Sequence, residues 1–96
     1  MQFNSTGLDG AWLIEPTAQR DERGSFARTF CAETFGDRGL ETGFPQHSVS
    51  VSTRRGTLRG LHFQRAPHQE VKLVRCIAGA IFDVIVDLRP ESSLLP

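Results

Sequence analysis

Tyrosine is absent from the 96 residues, and neither sign of charge is in excess: eleven Lys and Arg balance eleven Asp and Glu. That balance argues against a general nucleic-acid binder and against a polybasic membrane-surface protein, since both need one-sided charge. No apolar run approaches the ~18 residues of a membrane span, so no membrane partner is expected. Met1 to Thr6 carries neither the basic cluster nor the apolar stretch of a signal peptide. The only cysteines, Cys31 and Cys76, lie far apart in no metal-like or redox-like spacing. Reduced thiols and a cytoplasmic location are the expectation. Repeats, linkers and low-complexity tracts are missing as well. At 10.7 kDa the chain makes one small domain, 1–96, with a thin core, because so short a chain buries only about two-thirds of its unfolded surface.

What is present is mostly strand-like. Ala11-Trp12-Leu13-Ile14 is an apolar run stopped by Pro16, and Asp21-Glu22-Arg23-Gly24 reads as a turn. Ser25 to Phe30 alternates small residues with Phe26, Arg28 and Phe30. Cys31 to Arg38 is the one helical piece, closed by Gly39. Gln46 to Thr53 has a period of two, which predicts a strand with Val49 and Val51 on one face. Thr57 to Gln64, Val71 to Ile77 and Ile81 to Leu88 predict three more strands, with Ala78-Gly79-Ala80 as a hairpin connection. The phenylalanines are expected to be mostly core.

Many short strands and almost no helix imply an all-β, jelly-roll or cupin-type antiparallel barrel. About six strands are visible, whereas a closed jelly roll needs eight. The barrel is therefore expected to be incomplete, a half barrel that pairs with a second copy or leaves sheet edges open. The tail from Pro90 to Pro96 adds no further strand.

Several motifs occur in a fixed order: Asp21-Glu22-Arg23-Gly24-Ser25-Phe26, Gly56-Thr57-Leu58-Arg59-Gly60-Leu61-His62-Phe63-Gln64, Lys72-Leu73-Val74-Arg75 and Asp83-Val84-Ile85-Val86-Asp87-Leu88-Arg89. Together they resemble the N-terminal half of the dTDP-4-dehydrorhamnose 3,5-epimerases, enzymes of the cupin superfamily. The resemblance implies inversion of the carbons on either side of the ketone in a nucleotide-linked 4-keto-6-deoxyhexose, in deoxysugar and cell-surface polysaccharide biosynthesis. Both carbons are α to a carbonyl, so the chemistry is proton removal, an enolate and reprotonation from the opposite face. It needs a base of near-neutral pKa, a cation at the developing oxyanion and an acid across the ring. No redox cofactor is required.

Within that resemblance His62 fits the base, since a free imidazole titrates near ~6.5. Lys72 fits the oxyanion stabiliser, on a strand adjacent to His62 and Gln64. Asp83 is a candidate to orient His62 or pair with Lys72, with an ordinary ion pair as the equal alternative. Arg23 and Arg59 match substrate-binding residues, with the diphosphate as the natural target of a guanidinium fork. The Arg23 and Phe26 segment is implied to reach into the partner's site in a homodimer. Gln46 and Ser48 match a Gln-x-Asn pair that contacts substrate, with Ser in place of Asn. At Arg28 the family carries Glu or Arg near the nucleotide. Taken singly, His62 would be an ordinary sheet histidine, and Lys72 an edge-strand lysine that discourages aggregation.

Metal-binding cupins carry G-x5-H-x-H, then Glu, then Gly after six residues. Here Gly56, His62 and Gly79 keep the spacing, but Gln64 and Lys72 replace two ligands. An ammonium does not coordinate a transition metal, so no metal and no cofactor are expected. Full-length relatives continue for about as many residues again and supply a Tyr as proton donor and an Asp that orients the base. The chain alone is expected to be weakly active or inactive. The alternative is a non-catalytic half-cupin that binds a nucleotide sugar or another anion through Arg23, Arg59 and Lys72.

Overall fold

The computed structural model describes residues 1–90, within which regular structure is confined to the first 37. Strand β1 (Gln2–Ser5) pairs antiparallel with β2 (Trp12–Glu15), placing Phe3 opposite Ile14. Strand β3 (Ala18–Asp21) pairs antiparallel with β4 (Gly24–Ala27), and helix α1 spans Ala32–Asp37. Two small antiparallel sheets and one short helix make up an incomplete all-β fold, as the sequence implies.

Local chemistry accounts for each element. β2 ends at Glu15 because Pro16 has no N–H to give a sheet. The 6–11 loop is closed by hydroxyls: Thr6 Oγ1 donates to the Ala11 carbonyl at 2.8 Å, and Ser5 Oγ accepts the Gly7 N–H at 3.2 Å. The β3–β4 loop is Glu22-Arg23. Neither has positive φ, so the left-handed step falls on Gly24 (φ 134°). α1 ends in a Schellman motif. Gly39 (φ 71°) donates to the Gly36 carbonyl at 3.0 Å, and Leu40 donates to the Phe35 carbonyl at 2.9 Å.

The first sheet and the helix meet through aromatic rings. Phe35, 2% exposed, packs edge-on against Phe3 at 5.6 Å and Phe30 at 4.7 Å between centroids. The Arg38 guanidinium covers the cluster, 4.7 Å from the Phe3 ring centroid and 5.7 Å from that of Trp12. Phe3 and Phe35 are the buried apolar residues among those described. Phe26, Phe63 and Phe82 are exposed, against the expectation that the phenylalanines are mostly core, because nothing is packed over the segments that carry them.

The described residues cluster into two units, one built from residues 1–42 with the stretch from Ile81, the other from Gly43–Ala80. In the first, an Asp-x-Arg clasp ties residue 89 to the β1–β2 loop. Asp87, its side chain 7% exposed, accepts from Arg89 Nε at 2.9 Å and Nη2 at 2.7 Å, and Nη2 also donates to the Asp9 carbonyl at 2.7 Å.

The strands expected over 46–53, 57–64, 71–77 and 81–88 do not form among the described residues. Ala78-Gly79-Ala80 bends with no paired strands beside it. A period-two sequence states which face would be buried, but a strand is stable only against a partner backbone and a covering layer. Neither is supplied here, and Leu58 (92% exposed) and Phe82 (94%) face water. β1 and β3 were not evident in the sequence, since Gln-Phe-Asn-Ser and Ala-Gln-Arg-Asp carry almost no apolar signal. β4 stops at Ala27, three residues short of the expected Phe30. Of the tail from Pro90 to Pro96, positions 91–96 lie outside the described residues.

Arg89→Ala removes three charge-assisted bonds, two of them to a largely buried carboxylate, and is expected to cost about 1–3 kcal/mol in denaturant unfolding. Gly39→Ala places a Cβ at φ 71°, and about 1 kcal/mol of destabilisation is expected by the same measurement.

Candidate functional site

Two of the expected substrate contacts come together in the β3–β4 hairpin. Arg23 and Phe26, with Gln19, Asp21, Gly24 and Ser25, line a hollow of about 250 Å³. Arg23 is held from the side by Asp21. Asp21 Oδ1 accepts the Arg23 backbone N–H at 2.8 Å, while Oδ2 accepts Nη2 at 2.7 Å and Nε at 3.3 Å. The Arg23 side chain is 87% exposed, and Phe26 presents its ring to water. These bonds, the guanidinium first and the Arg23 amide second, hold the Asp21 pKa below its ordinary 3.8.

Arg28 follows the hairpin and is exposed; its charge contributes to lowering the pKa of Cys31, behind hydrogen bonding from Thr34 and the start of α1. Cys31 is the α1 N-cap residue.

The remaining candidates outside this hairpin lie in residues 43–90. Gln46, Ser48, Arg59, His62 and Lys72 belong to the Gly43–Ala80 unit and are exposed. Arg59 Nη2 donates to the Val51 carbonyl at 2.9 Å, which ties two of the expected strand segments through a side chain. Lys72 Nζ lies 3.9 Å from Glu70 Oε1, a long, solvated ion pair. His62 makes no hydrogen bond to the described residues, and Gly60 (φ 99°) leaves space beside its Nδ1. Because 57–64 and 71–77 are not strands, the shared face expected for His62, Gln64 and Lys72 is not assembled within this unit. Asp83 is exposed and belongs to the other unit. Among the described residues no group of three or more His, Cys, Asp or Glu side chains is arranged to hold a metal, and no helix is long and apolar enough to cross a membrane.

Asp21, a motif residue with no role expected from the sequence, holds Arg23. The signal is in the spacing, because Asp21-Glu22-Arg23 and Asp87-Leu88-Arg89 repeat one Asp-x-Arg pattern, and each arginine turns Nε and Nη2 onto the aspartate two residues back.

The family model described as dTDP-4-dehydrorhamnose 3,5-epimerase matches residues 5–95. The chain belongs to the dTDP-4-dehydrorhamnose 3,5-epimerase family. Among curated relatives of this epimerase-family chain, a dTDP-4-dehydrorhamnose 3,5-epimerase of Methanothermobacter thermautotrophicus is 55% identical over 95% of the chain and 48% of its own length. One from Streptomyces griseus is 44% identical over 88% of the chain and 42% of its own length. A dTDP-4-dehydrorhamnose 3-epimerase of Streptomyces niveus is 39% identical over 96% of the chain and 44% of its own length. The chain thus spans about half the length of these relatives. No solved structure matches it.

Carboxyl NMR titration should place the Asp21 midpoint below 3.8 and return it towards that value in Arg23→Ala. Because the folded pKa is the depressed one, the stabilisation from this clasp is present above the unfolded pKa. It is lost as pH falls through the lower folded value, so the clasp is intact throughout the neutral range.

Proposed function

We propose that this chain carries the base-bearing, substrate-binding half of an enzyme that epimerises a nucleotide-linked 4-keto-6-deoxyhexose at carbons 3 and 5, of the dTDP-4-dehydro-6-deoxy-D-glucose to dTDP-4-dehydro-L-rhamnose type. The observation that carries this reading is the family match over residues 5–95, a span that contains Arg23, Arg59, His62 and Lys72. In this reading neutral His62 takes the proton from the carbon α to the ketone and becomes imidazolium. The electron pair moves onto the carbonyl oxygen, and the Lys72 ammonium stabilises the resulting enolate. Asp83 orients the imidazole. Arg23, Phe26, Arg28, Gln46, Ser48 and Arg59 hold the nucleotide sugar. Reprotonation from the opposite face needs an acid that this tyrosine-free chain does not itself offer as a phenol. Neither a metal nor a redox cofactor takes part. The domain is an incomplete cupin, it works in the cytoplasm, and it pairs as a homodimer.

The exposure of His62 and Lys72, and the solvated pairing of Lys72 with Glu70, favour a second reading: a half-cupin that binds a nucleotide sugar without turnover. Incubation with the 4-keto-6-deoxy nucleotide sugar in heavy water separates the two. Deuterium entering at carbons 3 and 5, and falling at least about 100-fold in His62→Ala, supports the enzyme. Saturable binding without exchange supports the binding module.

A further inference from the structure

We infer that Asp21 is a positioning residue for anion binding: it grips the Arg23 guanidinium by one edge and leaves the other edge for a phosphate or diphosphate at the hollow of the β3–β4 hairpin. The inference rests on the reading of Arg23 as a substrate contact and adds the group that aims it.

The geometry of the clasp carries it. A guanidinium has five N–H donors in a planar fork. Asp21 Oδ2 takes Nε and one donor of Nη2, while Oδ1 is fixed by the Arg23 amide across the turn. The carboxylate is thereby locked to the backbone of the residue it orients. Both Nη1 donors and the second Nη2 donor remain, and that Nη2 donor with one from Nη1 forms the parallel pair that suits two phosphate oxygens. Among the described residues Asp21 is the only hydrogen-bond partner of Arg23.

The second clasp displays what an arginine held this way does. Asp87 grips Arg89 through the same Nε and Nη2 atoms and the same backbone N–H, and the spare Nη2 donor reaches an oxygen far away in sequence, the Asp9 carbonyl at 2.7 Å. At Arg23 the corresponding edge meets no oxygen among the described residues. Arg23 lines a hollow together with Gln19, Ser25 and the exposed Phe26, a residue set suited to an anion attached to a flat apolar group. Free arginine side chains lose considerable rotamer entropy on binding, and a pre-set fork avoids part of that loss.

The test measures dissociation constants for thymidine diphosphate with the full chain and with Asp21→Ala, Arg23→Ala and the double variant, alongside the Arg23 Nε–H resonance. Asp21→Ala should bind about tenfold more weakly, and the double variant no more weakly than Arg23→Ala alone, since Asp21 acts only through Arg23. The Nε–H resonance should be distinct and slowly exchanging in the unaltered chain and lost in Asp21→Asn, which a merely structural turn residue would not produce. Equal loss on removing Asp21 with or without Arg23 overturns the role, as does tighter binding by Asp21→Ala, which would make the carboxylate a competing charge. If Arg23→Ala binds as well as the unaltered chain, or the unaltered chain does not bind, the reading of Arg23 itself fails and takes this role with it. If Arg23→Ala weakens binding and Asp21→Ala does not, only the role of Asp21 fails.

Discussion

The contact of Phe35 with Phe3 and Phe30 is the constraint on which the packing of α1 against β1 depends. A two-stranded sheet and a six-residue helix are each marginal alone, since neither buries enough surface to offset the entropy of ordering it. Edge-on packing of three rings joins β1 to α1, and Arg38 lays its cation over the exposed side of the cluster. The Schellman closure at Gly39 supports this by fixing where the helix stops and so where Arg38, its last-turn neighbour, is delivered.

Two Asp-x-Arg clasps then do different work with the same arginine donors. At Asp87 the carboxylate is nearly buried and its arginine ties the chain to the β1–β2 loop; at Asp21 the pair is exposed on a hairpin and the arginine faces a hollow. Burial, rather than the motif, separates a structural fastener from a candidate anion contact. An exposed pair of this kind contributes little to stability.

The candidate catalytic residues make the opposite point. His62 and Lys72 are candidates by motif resemblance, and the face that would unite them exists only when 57–64 and 71–77 pair as strands. Apolar residues such as Leu58, Leu61 and Val74 remain in water, and the imidazole has neither the desolvated surroundings nor the hydrogen-bonded partner that prepare a general base. The chain matches about half the length of its relatives, and a jelly-roll half-site of this kind depends on non-local strand pairing for its shape.

By itself the sequence determined whatever is decided within a few residues. Pro16 ends β2, the Asp21–Gly24 turn makes the hairpin, Cys31 to Gly39 brackets the helix, and the ordered motifs identify the family. These rest on fixed φ angles, missing donors, side chains that reach their own backbone, and residue spacing, all of which can be read in order along the chain. Tertiary structure alone decided which phenylalanines are covered, that Arg89 meets Asp9, that nearly signal-free Gln2–Ser5 becomes a strand by pairing with Trp12–Glu15, and that the period-two segments beyond Gln46 remain unpaired. The reason is that a strand, unlike a turn or a helix cap, has its hydrogen-bonding partners elsewhere, and alternation specifies the face to be buried without supplying anything to bury it.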